Sequence, residues 1–139
     1  MMSSPDAPRL FLDRGLGAQI VPAGFRAAGW ILTTMDERYG SDASQQIADA
    51  DWIADATGSG GSLLSKDSAV ARRPAEAMAV VMNDAQFFAL ANARVTGPET
   101  LRCFLANEAA IFRWATRVKP PFVVVVGPDR VRRRRLTCP

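Results

Sequence analysis

Apolar positions along this chain fall into two rhythms. Short runs with little polar interruption, "RLFLD" (9–13), "WILTT" (30–34), "GGSLLSK" (60–66), "AQFFAL" (85–90) and "PFVVVVG" (121–127), have the length and the β-branched or aromatic content of strands. Between them lie stretches of helical period. Residues 21–29 carry Pro22 where a first turn tolerates it and Gly29 where a helix ends, 49–57 open on acids, 73–84 have Pro74 near the start, and 97–118 read as one long amphipathic helix. Alternating strands and helices predict an α/β domain with a mainly parallel sheet, covered on both faces and joined by right-handed crossovers. No internal repeat interrupts this order, and only "GSGGS" and an arginine run near the end are of low complexity.

A chain of 139 residues, 48% hydrophobic, supports one core rather than two. The expected organisation is a flexible N-terminus at 1–8, a domain at 9–128 and an Arg-rich tail at 129–139. Apolar runs such as Phe122 to Val126 fall far short of the ~20 residues that span a bilayer, and "MMSSPDAPRL" lacks a basic start followed by an apolar stretch. No membrane association and a cytoplasmic location are therefore expected. Cys103 and Cys138 form no paired motif, so they predict a core residue and a tail thiol rather than a zinc site or a disulfide.

Charge changes the picture locally. The formal net charge is +3, yet five of the seventeen cations are Arg130 and Arg132 to Arg135; without them twelve cations face fourteen acids. The body is mildly acidic and the basicity belongs to the tail, which suits either phosphate contact without a sequence code or a solvated strand edge.

The acids stand where strands end. Asp13 closes the first strand, Asp67 follows the third, and Asp49 and Asp51 open the helix that feeds the third. In a parallel sheet, functional groups collect beyond the carboxyl ends of the strands, and crowded carboxylates select hard, oxygen-loving cations such as Mg²⁺ or Mn²⁺. Each acid also has a structural reading: Asp49 or Asp51 as a helix N-cap, Asp67 as a turn cap, Asp13 as a loop acid. Mutual repulsion in a cluster predicts that Asp67→Asn relieves charge while removing a ligand. Other chemistries drop out. The chain has no histidine, which removes Ser-His-Asp and Cys-His catalysis and the usual zinc and haem ligands. "GSGGS" leads into a strand rather than a helix and lacks a following Lys-Ser/Thr, so it is no phosphate-binding loop. Gly15 stands where a haloacid-dehalogenase-like phosphotransferase needs a second acid, and Leu12 where a receiver domain needs a paired one.

"LFLDRGL", "DADWIADA" and "LLSKDSA" together resemble the PIN-like ribonucleases. Asp49 matches the helix-opening acid of that family, Ala56 the later alanine, and Ser65-Lys66-Asp67 the strand-end motif, with Ser65 where threonine is commoner. The separation from Asp49 to Asp67 is the one the family shows, which leaves Asp51 as the alternate. "RRPAE", "TGPETLRCFLAN" and "PPFVVVV" are similar to the subset that acts as VapC-type toxins.

The resemblance implies a single-domain, three-layer α/β/α fold and a metal-dependent endoribonuclease, the toxin of a type II toxin–antitoxin system. Asp13, Asp49 and Asp67 would hold Mg²⁺ or Mn²⁺. A further acid would come from Asp36, Glu37 or Asp42, of which Glu37 is preferred because it leaves the end of the second strand. Lys66 or Arg14 would steady the scissile phosphate, with Arg72, Arg73, Arg132 and Arg133 along the RNA backbone; the competing reading of these cations is a solvated face or salt bridges. Trp30, Trp52 and Trp114 sit in apolar periodic settings and are read as core rather than as stacking platforms. The implied partners are RNA and a cognate antitoxin whose basic side chain enters the acidic pocket, and a homo-oligomer is compatible with the sequence. The alternative is a PIN-like fold without catalysis, serving as a protein-binding module.

Overall fold

A computed structural model describes residues 7–137. Five parallel strands and one antiparallel strand form a single sheet in the order β2-β1-β3-β4-β5-β6: β1 Arg9–Leu12, β2 Ile31–Thr34, β3 Ser62–Ser65, β4 Gln86–Leu90, β5 Phe122–Val126 and β6 Val131–Arg134. The helices are α1 Ile20–Ala27, α2 Met35–Tyr39, α3 Ser41–Ser44, α4 Asp49–Gly58, α5 Pro74–Met82, α6 Gly97–Ala106 and α7 Glu108–Arg117, with 3₁₀ turns at Arg14–Leu16 and Ser68–Ala71.

The period-two alternation of the strands divides the core between the two faces. Leu10, Leu12, Leu64, Phe88, Phe122 and Val124 pack with Phe25, Phe104 and Ile111 of α1, α6 and α7. Phe11, Leu63, Phe87 and Val123 pack on the other face with Trp52, Ile53, Ala56 and Val80 of α4 and α5. Strands buried on both sides explain why the runs read as continuous apolar stretches. Trp30 stacks on Phe25 with ring centroids 4.4 Å apart, and Trp52 meets Phe87 edge-on at 6.4 Å, so both are core side chains as expected.

Several elements were not legible in the sequence. The helix expected over 97–118 is broken at Asn107, whose buried side-chain amide donates to the Cys103 carbonyl at 2.8 Å and to the Gly127 carbonyl at 2.9 Å. The apolar stripe continues on both sides of the break, so periodicity alone does not reveal it. The segment expected as an Arg-rich tail takes the form of a strand edge, one of the alternatives the sequence offered: Val131–Arg134 pair antiparallel with β5 and form an edge of the sheet. Beyond β6, the Thr137 N–H donates to the Ala71 carbonyl at 2.8 Å, tying the chain end to the 3₁₀ turn after Asp67. Short helices α2 and α3, which carry no long apolar period, had no counterpart in the sequence reading. Residues 1–6, expected to be flexible, and Cys138 lie outside the described residues. Cys103 is a buried free thiol, and among the described residues no helix is long and apolar enough to cross a membrane.

Candidate active site

β1 lies between β2 and β3, so the chain leaves it in one direction while β3 continues in the other, toward β4. A parallel sheet opens a crevice at such a reversal, outside the carboxyl ends of the strands. Leu12 pairs with Leu64, and the Asp13 N–H continues the ladder to the Leu64 carbonyl at 2.9 Å. Asp13 and the Ser65-Lys66-Asp67 segment therefore emerge side by side. The crossover from β2 to β3 delivers the first turn of α4, and with it Asp49, to the same place. Asp13, Asp49, Ser65 and Asp67 line one small cavity floored by Trp52, Ile53, Val70 and Phe87.

Ser65, buried at the end of β3, joins two of the acids: its hydroxyl donates to Asp13 Oδ2 at 2.9 Å and accepts the Asp67 N–H at 3.0 Å. Asp13 Oδ1 is buried and has no hydrogen-bond partner among the described residues. Burial pushes the Asp13 carboxyl above the usual carboxylate range, the Ser65 hydroxyl acts against that shift, and the Asp49 charge adds to it.

Asp67 also has its structural role, since Oδ1 accepts the Ala69 N–H at 3.0 Å and caps the 3₁₀ turn. Its other oxygen is paired with Arg73. Asp49 is not an N-cap; Ala48 holds that position, and Asp49 stands in the first turn, where the helix N-terminus favours an acid. Arg14, half-buried, donates to the carbonyls of Ser44 and Ile47 and approaches Asp49 Oδ1 at 3.5 Å. It thereby holds the segment that leads into α4 against the end of β1. Arg14, expected to steady the scissile phosphate, and Arg73, expected along the RNA backbone, both pair with the acids, which is the competing salt-bridge reading.

The remaining expected residues scatter. Asp51 is exposed on α4 and does not line the cavity. Glu37 is engaged elsewhere: it closes a capping box with Thr34 and pairs with Arg26 at 2.7 Å, and the Thr34 N–H first, with Arg26 after it, holds its carboxyl below the usual range. Asp36, its neighbour, lines a second cavity beside Asp13 and Arg14, where it accepts a hydrogen bond from the Ser44 hydroxyl. The sequence signal that separates the two acids is the Thr34-x-x-Glu37 spacing of a capping box, which commits Glu37 to the helix start. Lys66 reaches the Val95 carbonyl at 3.4 Å. Arg72 and Arg132 are exposed, and Arg133 lies over the Trp114 ring at 5.8 Å.

The donor set consists of carboxylates with an orphaned buried oxygen among them, which suits a hard divalent cation. In the structure as it stands, two arginines occupy that electrostatic role. Among the described residues no three acidic, cysteine or histidine side chains close around one point as a finished metal cage.

The sequence profile of the family described as "PIN like domain" matches residues 8–92. A curated relative from Mycobacterium tuberculosis (strain ATCC 25618 / H37Rv), named "Putative ribonuclease VapC45", is 35% identical over 126 residues, 91% of this chain and 91% of its own length. No solved structure matches the chain. With six strands in the order just described, acids at the β1/β3 crevice and these two matches, the chain belongs to the PIN-like domain family.

Proposed function

We propose that this protein is a metal-dependent endoribonuclease and the toxin of a toxin–antitoxin pair, working in the cytoplasm. The observation that carries the reading is the convergence of Asp13, Asp49 and Asp67 from three separate segments on one cavity, with Asp13 Oδ1 buried and unpartnered among the described residues. A fold does not need such an arrangement, because half-buried carboxylates gathered at one place cost stability unless cations compensate them. The name of the mycobacterial relative supports the substrate class and the pairing with an antitoxin.

Asp13, Asp49 and Asp67 would hold Mg²⁺ or Mn²⁺, with Asp36 rather than Glu37 as the further acid on the Asp13 side. Bound there, the ion would supply an acidified water and charge compensation on the leaving oxygen of a phosphodiester. The chain's own residues prepare the place. Ser65 fixes one oxygen of Asp13 and with it the orientation of the carboxylate at the cavity. Trp52, Ile53, Val70 and Phe87 exclude water from beneath it and raise the strength of every charge interaction inside. Arg14 holds the approach to α4 so that Asp49 faces Asp13, and Arg73 neutralises Asp67 until a cation replaces it.

An antitoxin with a basic side chain would meet the same three acids, as Arg73 and Arg14 already do from within the chain. The test is induction of wild type and of Asp67→Asn in bacteria, following growth and RNA integrity together. The substituted amide would keep an oxygen able to cap the turn, so folding should survive, while RNA cleavage and growth arrest disappear. Equal growth and intact RNA in both strains, with the wild-type protein abundant, would favour the binding-module reading.

A further inference from the structure

The strands β3, β4 and β5 run parallel, so the carboxyl ends of β4 and β5 open on the same sheet edge as the acids. There the hairpin between β5 and β6 bounds an open cleft of about 570 Å³, lined by Ala91, Gly127, Pro128, Asp129, Arg130 and Arg132. Arg130 and Arg132 are exposed, and neither guanidinium has a hydrogen-bond or ion-pair partner among the described residues. Arg133 is different: it stands over Trp114 and donates to the Pro121 carbonyl at 3.2 Å, so it packs against the helices. One strand step is about 4.8 Å, which puts the hairpin roughly 10 to 14 Å from the end of β3. Between them lie Lys66, which reaches across to the Val95 carbonyl, and the loop after β4 with exposed Arg94.

We propose that this cleft is a phosphate-binding subsite for single-stranded RNA, taking the backbone on one flank of the scissile bond, with Arg130 and Arg132 as its contacts. The inference rests on the nuclease reading. An RNA strand crossing the acids at right angles to the β-strands runs along the edge into the cleft, where two free guanidinium forks suit phosphate oxygens. No aromatic side chain lines the cleft, so the contact is to backbone charge and carries no base preference. An acidic protein partner would also suit free arginines, but it would not explain their place on the edge that carries the acids.

The experiment compares wild type, the double variant Arg130→Gln/Arg132→Gln and the control Arg133→Gln on a single-stranded RNA that wild type cuts, across a range of salt. The double variant should raise KM about tenfold at unchanged kcat, cut at the same position, and flatten the log–log salt slope by about 1.4, roughly 0.7 for each lost phosphate contact. Arg133→Gln should leave the slope as it is. Trimming the RNA on the flank that enters the cleft should abolish the difference between wild type and the double variant. Cleavage by wild type with an unchanged double variant would overturn the subsite and leave the nuclease reading in place. So would a double variant that loses an acidic protein partner while its RNA kinetics stay the same. Wild-type protein that neither binds nor cuts RNA would remove both.

Discussion

Asp13 carries a conflict of its own. Ser65 satisfies one of its oxygens while the other is buried alone, and burial together with the Asp49 charge lifts its pKa. Because the native chain holds this proton more tightly than the unfolded chain, stability falls as pH rises from the usual carboxylate range through the raised native pKa. Asp13→Asn should remove that fall and stabilise the metal-free protein at neutral pH, as measured by denaturant unfolding in EDTA. An unchanged pH profile would show that Asp13 is not the charge in conflict. Asp67 is the weaker place to look for relief, contrary to the sequence-based expectation, because Arg73 already compensates it.

Among elements, α2 and α4 share core through Met35, Trp52 and Ile53, and a surface cluster joins them as well. Arg38 grips Asp55 with two nitrogens, at 2.6 and 2.8 Å, and the Tyr39 hydroxyl donates to the same carboxylate. These partners hold the Asp55 pKa at about 2, below its usual 3.8. The contribution is present above the unfolded pKa and is lost as pH falls through the native one, so Asp55→Asn should flatten the loss of stability between about pH 4 and pH 2. Half-exposed side chains keep the effect small at neutral pH. The joint between α6 and α7 is tighter. Asn107→Ala would leave the Cys103 and Gly127 carbonyls without their donor and should cost about 1 to 3 kcal/mol in denaturant unfolding. A cost near zero would mean that water replaces the amide.

For the whole molecule, the candidate site acids come from three segments that only the folded chain brings together. A divalent cation that binds the native site and not the unfolded chain raises stability by mass action. Adding Mn²⁺ at one hundred times its dissociation constant should contribute about 2.7 kcal/mol, read as a higher Tm that EDTA reverses. The same addition to Asp13→Asn should shift Tm much less. A wild-type melting curve indifferent to Mn²⁺, Mg²⁺ and EDTA would count against the metal site.

The strands and most helices were legible because each depends on local pattern, and Asp13, Asp49 and Asp67, the proposed ligands, were singled out by their places along the chain and by the family resemblance. A buried strand has to be apolar on both faces, and Asp13, Asp49 and Asp67 stand at strand or helix ends in linear order. Glu37 was misplaced although its capping spacing with Thr34 was readable, since the choice between Asp36 and Glu37 turns on which oxygen the helix start consumes. What the linear order could not contain was long-range pairing. The break at Asn107 depends on the Gly127 carbonyl twenty residues away. The roles of Arg14 and Arg73 depend on which carboxylates the fold sets beside them, and the arginine run became a strand because β5 offered a free edge. Hydrophobic period is a property of neighbours along the chain and so determined the elements; hydrogen bonds and charge pairs between distant segments exist only once the sheet has assembled, and these the tertiary structure decided.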